Sequence, residues 1–331
     1  MLMPNGSLIV AQPLEKLFRI FDSAGMYRAT LGRSGKGPGE FQSLPAFGRV
    51  GDSLYAIDHR NRRLSLFRNA SAPAVSISLP LLRVPAVEYA GLVAILPDGG
   101  AISSANATSL TAPTVQQLFL HSRDGRRTQS LATFRDDDYF TPIRVGTLKL
   151  QFPQPLVARP YVLYSSPSGS VASLRSVVPE NGSIGAVELS WRSTSAAPVL
   201  QRVPVPIQAV READVDSILD AFSAAMAPAL TQTGGTISVA QLRAQTKSIL
   251  VRKRVFPPVE RVFMDDDGRV WLRIRGSVDW MIVTKGKTDV DRIRLPVHAE
   301  ILAASGMTLW TRESDTDDLP VLTRYRLSKQ Q

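Results

Sequence analysis

The sequence predicts an all-β fold built from repeated units of four short strands, and three observations support this prediction. Strand-like segments separated by turn residues cover residues 8–32. The same alternation starts again at residues 54–67. Between the two lie residues 35–40, where three glycines and one proline require a tight turn and exclude a helix or a strand. Repeated four-strand units joined by glycine-rich connections are typical of a β-propeller.

The motifs of residues 8–67 follow a recognisable order. A strand ending in Asp58 is followed by a polar loop and a second strand up to Phe67. An Asp-x-x-Gly turn starts at Asp22, and the connection from Gly35 to Phe41 reads Gly-Lys-Gly-Pro-Gly-Glu-Phe. This segment resembles the bacterial six-bladed β-propellers related to NHL repeats. The resemblance implies six blades and a binding platform, but this group of proteins has no single activity.

The C-terminal region also fits this pattern. Residues 263–271 look like two strands across an Asp-Gly turn, and residues 322–327 look like the third strand of a last blade. Residues 88–207 match only in the rhythm of strands and turns. A blade takes roughly 40 to 50 residues. We therefore expect one domain over residues 1–331, with blades at about 1–35, 46–80, 89–134, 156–207, 259–296 and 299–327.

Residues 210–254 interrupt the rhythm with a helical pattern. Val215, Leu219, Phe222 and Met226 recur at three- and four-residue spacing and form one apolar stripe. After residues 231–235, the sequence Ser-Val-Ala-Gln from Ser238 is a capping box that starts a second helix. That helix is predicted to end in Lys253 and Arg254, before two prolines. We predict a helical hairpin inserted between blades four and five.

The place of this insertion in the chain predicts its place in space. If the strands of a blade are labelled A to D from the axis outward, the D–A and B–C connections lie on one face of the propeller. The helical hairpin, the 35–41 connection and the 59–62 loop should therefore share the face on which propellers usually hold ligands. The alternative is that the hairpin only packs its apolar stripe against the rim.

Composition limits the possible functions. The chain contains no cysteine, which excludes disulfides and thiolate metal sites, and no apolar run is long enough to span a membrane. The formal net charge of +10 suggests an anionic partner, or simply the arginine-rich composition of a GC-rich genome. Since the basic residues are dispersed, we do not expect nucleic-acid binding, although an NHL-like nucleic-acid module stays an alternative.

The two ends of the chain lack strands that a complete ring would have. Residues 1–6 supply little of the first strand A, and nothing follows residues 321–327 to form the last strand D. Related propellers close the ring with an N-terminal strand. We therefore expect a lost upstream stretch with an export signal, and a monomeric, extracytoplasmic protein. The alternative is an open or oligomer-closed ring, which would be cytoplasmic and have exposed edges.

The residue pattern does not assemble a catalytic set. The histidines at 59, 121 and 298 have no metal-ligand spacing, and the phosphate-loop and nucleophile-elbow motifs are missing. Asp315, Asp317 and Asp318 suggest a calcium site in the B–C loop of blade six. We expect no other cofactor. An alternative is a metal-dependent hydrolase of the lactonase or esterase type, for which the sequence does not show the axial Glu, Asn and Asp.

The candidate ligand-binding residues are Lys36, His59, Arg60 and Arg62. Arg60 and Arg62 can donate to a carboxylate or phosphate. The alternative is structural, with Asp58 and Arg63 pairing across the strand ends and Asn61 satisfying loop backbone groups. We predict a non-catalytic binding or scaffold propeller whose ligand is a protein, a peptide or a glycan, bound on the face of the D–A and B–C connections.

Overall fold

The protein forms six β-sheet blades in a propeller arrangement, as the sequence predicts. The computed structural model describes residues 1–44, 46–68, 75–79, 82–84, 87–107, 115–145, 148–179, 183–193, 195–232 and 237–328. In each blade, consecutive strands pair antiparallel in the order in which they follow along the chain. Short hairpin turns are enough to make such a sheet, which explains the density of glycine and aspartate turns in the sequence.

The first two blades and the connection between them occupy residues 8–78. Blade one contains β1 (Leu8–Gln12), β2 (Leu17–Phe21) and β3 (Tyr27–Leu31). The glycine-rich connection adds a short parallel pair, β4 (Arg33–Ser34) and β5 (Glu40–Phe41). Blade two contains β6 (Ala46–Val50), β7 (Ser53–Asp58), β8 (Arg63–Arg68) and β9 (Val75–Ser78).

Blade three has five strands, one more than predicted, because β10 pairs with the start of β11. It contains β10 (Leu82–Val84), β11 (Val87–Ile95), β12 (Ala101–Ala107), β13 (Val115–His121) and β14 (Thr128–Arg135). The one-turn helix α1 (Asp136–Tyr139) follows. A separate hairpin comes next, β15 (Phe140–Val145) and β16 (Leu148–Pro153), which the sequence did not predict.

The remaining blades match the predicted boundaries within a few residues. Blade four contains β17 (Tyr161–Ser165), β18 (Ser170–Val177), β19 (Ile184–Arg192) and β20 (Val199–Pro206). The helices α2 (Glu212–Gln232) and α3 (Val239–Ile249) follow. Blade five contains β21 (Val259–Met264), β22 (Val270–Ile274), β23 (Asp279–Val283) and β24 (Val290–Arg294). Blade six contains β25 (Glu300–Ser305), β26 (Thr308–Ser314) and β27 (Pro320–Arg326).

Apolar side chains fill the space between neighbouring blades. They form mixed clusters of aliphatic and aromatic residues, as where Leu189 of blade four and Leu272 of blade five belong to one cluster. Blades six and one also share such a cluster, which contains the buried Trp310 and Leu8. Arg324 reinforces this junction by donating a hydrogen bond to the Ser23 carbonyl, at 2.7 Å. Blades one and six are therefore joined by side-chain packing.

The predicted helical hairpin is confirmed, and its apolar stripe is buried. Val215 and Leu219 are 3% and 0% exposed, while Phe222 and Met226 pack against the same cluster. The predicted capping box is present, because Ser238 and Gln241 exchange both side-chain to backbone hydrogen bonds. The predicted turn at residues 231–235 falls largely outside the described residues, since 233–236 are not described.

The helical hairpin packs on the β15–β16 hairpin as one layer. Phe152 of β16 contacts Phe222 edge to face, with ring centroids 4.8 Å apart. The buried Gln154 joins the two parts, since its amide donates to the Ile249 carbonyl and accepts from the Val251 backbone N–H. This last bond explains why α3 ends at Ile249, before the predicted Lys253 and Arg254. The backbone N–H of Val251 is taken by a side chain and not by the helix.

We predict that Leu219→Ala destabilises the protein by about 2–5 kcal/mol, because it leaves a cavity between the helices and the β15–β16 hairpin. Chemical denaturation followed by circular dichroism measures the change. Leu14→Ala is the matched control, since Leu14 is 98% exposed and its truncation removes no packing. An equal effect of the two substitutions would show that the helical layer does not contribute to the folded state.

Candidate functional site

The loop after β7 is organised around the buried carboxylate of Asp58, which is 0% exposed. It accepts hydrogen bonds from the backbone N–H groups of Gln42 and Ser43, at 2.7 and 3.2 Å, and from the Ser43 hydroxyl at 2.8 Å. The N–H groups of Arg60 and Asn61 and the Asn61 amide complete the set, at 3.1, 3.1 and 2.7 Å. Burial raises the pKa of Asp58, but these hydrogen bonds outweigh burial and leave the pKa below its ordinary value.

Two side chains of the same loop hold the glycine-rich connection. Asn61 donates to the Gly35 carbonyl at 3.1 Å, which agrees with its predicted structural role. Arg63 donates to the Lys36 carbonyl at 3.0 Å and also to the Glu40 carbonyl. Arg63 lies opposite Asp58 in the strand pair, as predicted, while its guanidinium binds these carbonyls.

The predicted ligand-binding residues surround this loop. Lys36, His59, Arg60 and Arg62 are all exposed. Their side chains make no hydrogen bond or ion pair with the part of the chain that the structure describes. Arg62 adopts a left-handed conformation with φ of 49° and closes the turn through its backbone. Hydrogen bonds thus hold the backbone of this loop, and the side chains of Lys36, Arg60 and Arg62 present positive charge to solvent. Ligand binding by the four predicted residues stays a prediction.

The acidic loop of blade six is also closed by its own backbone. The Asp315 carboxylate accepts from the N–H groups of Asp317 and Leu319, both at 2.9 Å. Asp318 has a φ of 59°. Among the described residues no group of three or more His, Asp or Glu side chains is arranged to hold a metal ion. A calcium ion bound by Asp315, Asp317 and Asp318 stays a prediction.

A cleft of about 680 Å³ lies between blades five and six, and we call it the 5/6 cleft. Its walls are formed by residues of β21 and β25 and by the end of β26. His298, in the connection between β24 and β25, lines it. Ser314 and Pro320, which flank the acidic loop, line it as well. Its walls also contain the side chains of Tyr161, Arg261, Phe263, Trp280, Glu300, Arg312 and Glu313.

The acids of the 5/6 cleft are occupied by other side chains. Glu300 forms an ion pair with Arg312 at 2.5 Å. Glu313 accepts hydrogen bonds from the hydroxyls of Tyr325 and Thr311, at 2.8 and 2.5 Å. Burial and the hydrogen bond to the Glu313 carboxylate raise the pKa of Tyr325 to about 12. The two carboxylates are therefore neutralised or hydrogen-bonded within blade six.

Several hydrogen-bond donors of the cleft have no such partner. Arg261, the Tyr161 hydroxyl, the Trp280 indole N–H and His298 all line it, and the described part of the protein supplies no acceptor to any of them. Burial raises the pKa of Tyr161, so its hydroxyl stays protonated and can donate at neutral pH. The cleft thus combines aromatic surface with open donors, a combination that binds ligands rich in oxygen acceptors.

Sequence patterns did not identify this cleft. Trp280 is 3% exposed and lies in the apolar cluster between blades five and six. Arg261 and His298 stand alone in the sequence, far from any motif. Arg261, Trp280 and His298 come together only because the blades bring β21, β23 and the connection before β25 to one cleft. The predicted residues Lys36, His59, Arg60 and Arg62 do not line it.

No protein-family model matches the chain, and no curated protein sequence matches it. Solved structures with a similar arrangement include a protein of Bacteroides fragilis named as a candidate exported protein, with 11% identity and a TM-score of 0.42 over 99% of this chain and 92% of that one. A protein of unknown function from Bacteroides caccae has 9% identity and a TM-score of 0.36 over 97% and 93%. A hypothetical selenium-binding protein from Sulfolobus tokodaii has 11% identity and a TM-score of 0.41 over 94% and 69%. Similarities this distant carry no argument about function.

None of the helices within the described residues is long and apolar enough to cross a membrane.

We predict that Asp58→Asn destabilises the protein at neutral pH by about 2–4 kcal/mol, because the asparagine amide brings donors to a site that already contains six. The pKa of Asp58 is depressed in the folded state. The ionised carboxylate therefore contributes to the free energy of unfolding above the unfolded pKa of about 3.9, and this contribution is lost as the pH falls through the pKa of the folded state. The difference in the free energy of unfolding between the wild type and Asp58→Asn, measured by urea denaturation, should therefore be large at neutral pH and small in strong acid.

Asp52→Asn is the control for this measurement, because Asp52 is exposed on the turn before β7. If the difference in the free energy of unfolding between the wild type and Asp58→Asn does not change with pH, the proposed role of the carboxylate charge is contradicted.

Proposed function

We propose that the protein is a monomeric, non-catalytic binding module and that the 5/6 cleft holds its ligand. The observation that carries this proposal is the set of open donors, Arg261, Tyr161, Trp280 and His298, on the walls of one cleft. A cleft of about 680 Å³ is within the usual range for small ligands, roughly 300–1,000 Å³, or for a short stretch of peptide.

The chemistry of the cleft favours a peptide over the other candidate ligands. An extended peptide presents backbone carbonyls at regular spacing, which suits the separate hydroxyl, indole and imidazole donors. The aromatic side chains Tyr161, Phe263 and Trp280 supply apolar surface for a neighbouring side chain. A nucleic acid would require a continuous basic surface, and Glu300 and Glu313 stand on the cleft wall.

The charges predict the orientation of such a peptide. Arg261 is the cation on the inner strand of blade five without an acidic partner among the described residues, so a carboxylate of the peptide would bind there. The acidic loop with Asp315, Asp317 and Asp318 borders the opposite wall, where a basic side chain would be favoured. The ligand class is therefore a peptide with an acidic and a basic group at separate positions.

The helical layer supports the same face. α2 and α3 belong to the D–A connection between blades four and five, and their buried stripe packs on the β15–β16 hairpin of the preceding D–A connection. We propose that the helices form a wall beside the cleft and do more than cover the rim. We also propose an extracytoplasmic location, supported by the resemblance of residues 8–67 to bacterial six-bladed propellers, and fractionation of the source cells would test it.

We predict that peptides selected by the wild-type protein from a random display library carry an acidic residue at one fixed position. For a selected peptide measured by fluorescence anisotropy, Arg261→Gln should weaken binding about tenfold or more, as expected for a lost hydrogen bond between charged groups. Replacing the acidic residue of the peptide by its amide should produce a similar loss. The two changes together should cost little more than either alone, because they remove one interaction.

His298→Ala should also weaken binding, because it removes one hydrogen-bond donor from the cleft wall. Arg68→Gln, at an exposed arginine on blade two, is the matched control and should change nothing. If the selected peptides bind the Arg261→Gln and His298→Ala variants as tightly as they bind the wild type, the ligand site lies elsewhere. Selection of no peptide, together with metal-dependent turnover of lactones or esters, would favour the hydrolase alternative.

A further inference from the structure

A second opening lies on the side of the propeller, between blades three and four, and we call it the 3/4 groove. Its volume is about 610 Å³. Blade three contributes β14, and blade four contributes β18, β19 and β20. The groove is separate from the 5/6 cleft, since the two share no lining residue.

Two polar atoms of β19 point to a ligand in this groove. The Ser190 hydroxyl and the Arg192 Nε are both buried, and neither has a hydrogen-bond partner in the described protein. The two residues lie two positions apart on one strand, so their side chains share the face of blade four that lines the groove. Buried donors without an acceptor are uncommon in folded proteins, and each one requires an explanation such as a bound group.

The charges of the groove favour an anion. Arg175, Arg192 and Arg202 line it together with a single acid, Glu188. Glu188 is held by Arg175 at 2.6 Å and by Arg202 at 3.7 Å, so its carboxylate is already compensated. Arg192 forms no ion pair within the described residues and also lines a smaller neighbouring cavity, which places it at the end of the groove.

Much of the remaining wall is apolar. Leu131 and Ala132 of β14 line the groove together with Leu200 of β20, which lies opposite Ser190 in the strand pair. Leu200 is 79% exposed, although most leucines of the blades are buried. An exposed leucine beside further apolar surface gains free energy when a hydrocarbon chain covers it.

We propose that the 3/4 groove binds a small amphiphile with a carboxylate at one end, of the class of medium-chain fatty acids. The carboxylate accepts hydrogen bonds from Arg192 and Ser190, and the hydrocarbon chain lies along Leu131, Ala132 and Leu200. A fatty acid fits better than a peptide because the two buried, unpaired donors lie together on one strand while apolar side chains from both blades line the groove. This inference is independent of the peptide ligand proposed for the 5/6 cleft.

The test uses decanoate, below the concentration at which it forms micelles, with the full-length protein and isothermal titration calorimetry. We expect saturable binding with one site. Decanol, which has the chain without the carboxylate, and acetate, which has the carboxylate without the chain, should each bind at least tenfold more weakly. Decanol that binds as well as decanoate would overturn the assignment of the carboxylate to Arg192 and Ser190.

Three variants locate the site. Arg192→Gln should weaken decanoate binding about tenfold, since a hydrogen bond to a charged partner is lost. Leu200→Glu should weaken it at least as much through charge repulsion and, because Leu200 is exposed, should leave the fold intact. Arg326→Gln, at an exposed arginine of blade six, is the matched control. No binding of decanoate to the wild type, or binding to Arg192→Gln and Leu200→Glu that is as tight as to the wild type, would overturn the proposal.

Discussion

Apolar packing between neighbouring blades is the interaction on which the rest of the structure depends. A single sheet of three or four short strands buries one side at most, and is marginal in water on its own. In the ring, the fully buried Trp191 and Trp271 and the nearly buried Trp310 fill spaces between sheets, and each blade is stabilised by two neighbours. The cluster that contains Leu8 and Trp310 is part of the same system, because it joins blade one to blade six.

Once the blades are fixed, the connections need their own polar interactions. Residues 35–41 and 59–62 have few apolar side chains to bury, so Asp58 organises them through backbone N–H groups. Gly32 illustrates how tight this arrangement is: its φ is +84°, and a Cβ there would come within 2.4 Å of the Phe41 ring. The helices α2 and α3 are held differently, by a small apolar cluster that they share with the β15–β16 hairpin. Where α3 ends, the Gln154 side chain accepts a hydrogen bond from the Val251 backbone N–H.

The sequence was sufficient for those features that local patterns determine. The blade order follows from turn residues and strand alternation, and the helical insertion follows from the spacing of Val215, Leu219, Phe222 and Met226. The β15–β16 hairpin was missed because the surface that it packs against is supplied by α2, some 70 residues later. The carbonyl partners of Arg63 were also beyond the sequence, because cross-strand position alone does not determine which acceptor a long side chain reaches.

The candidate sites were beyond sequence analysis for a geometric reason. Neighbouring blades meet along their faces, and the size of the side chains on both faces determines how much of the space between them is filled. Where the space is not filled, a groove remains whose walls come from two blades, as Leu131 and Ser190 do in the 3/4 groove and Phe263 and Glu313 do in the 5/6 cleft. Residues that meet in this way are far apart along the chain, and each one alone resembles an ordinary residue of a blade. At the two proposed sites the binding chemistry would therefore follow from the gaps that the core leaves open.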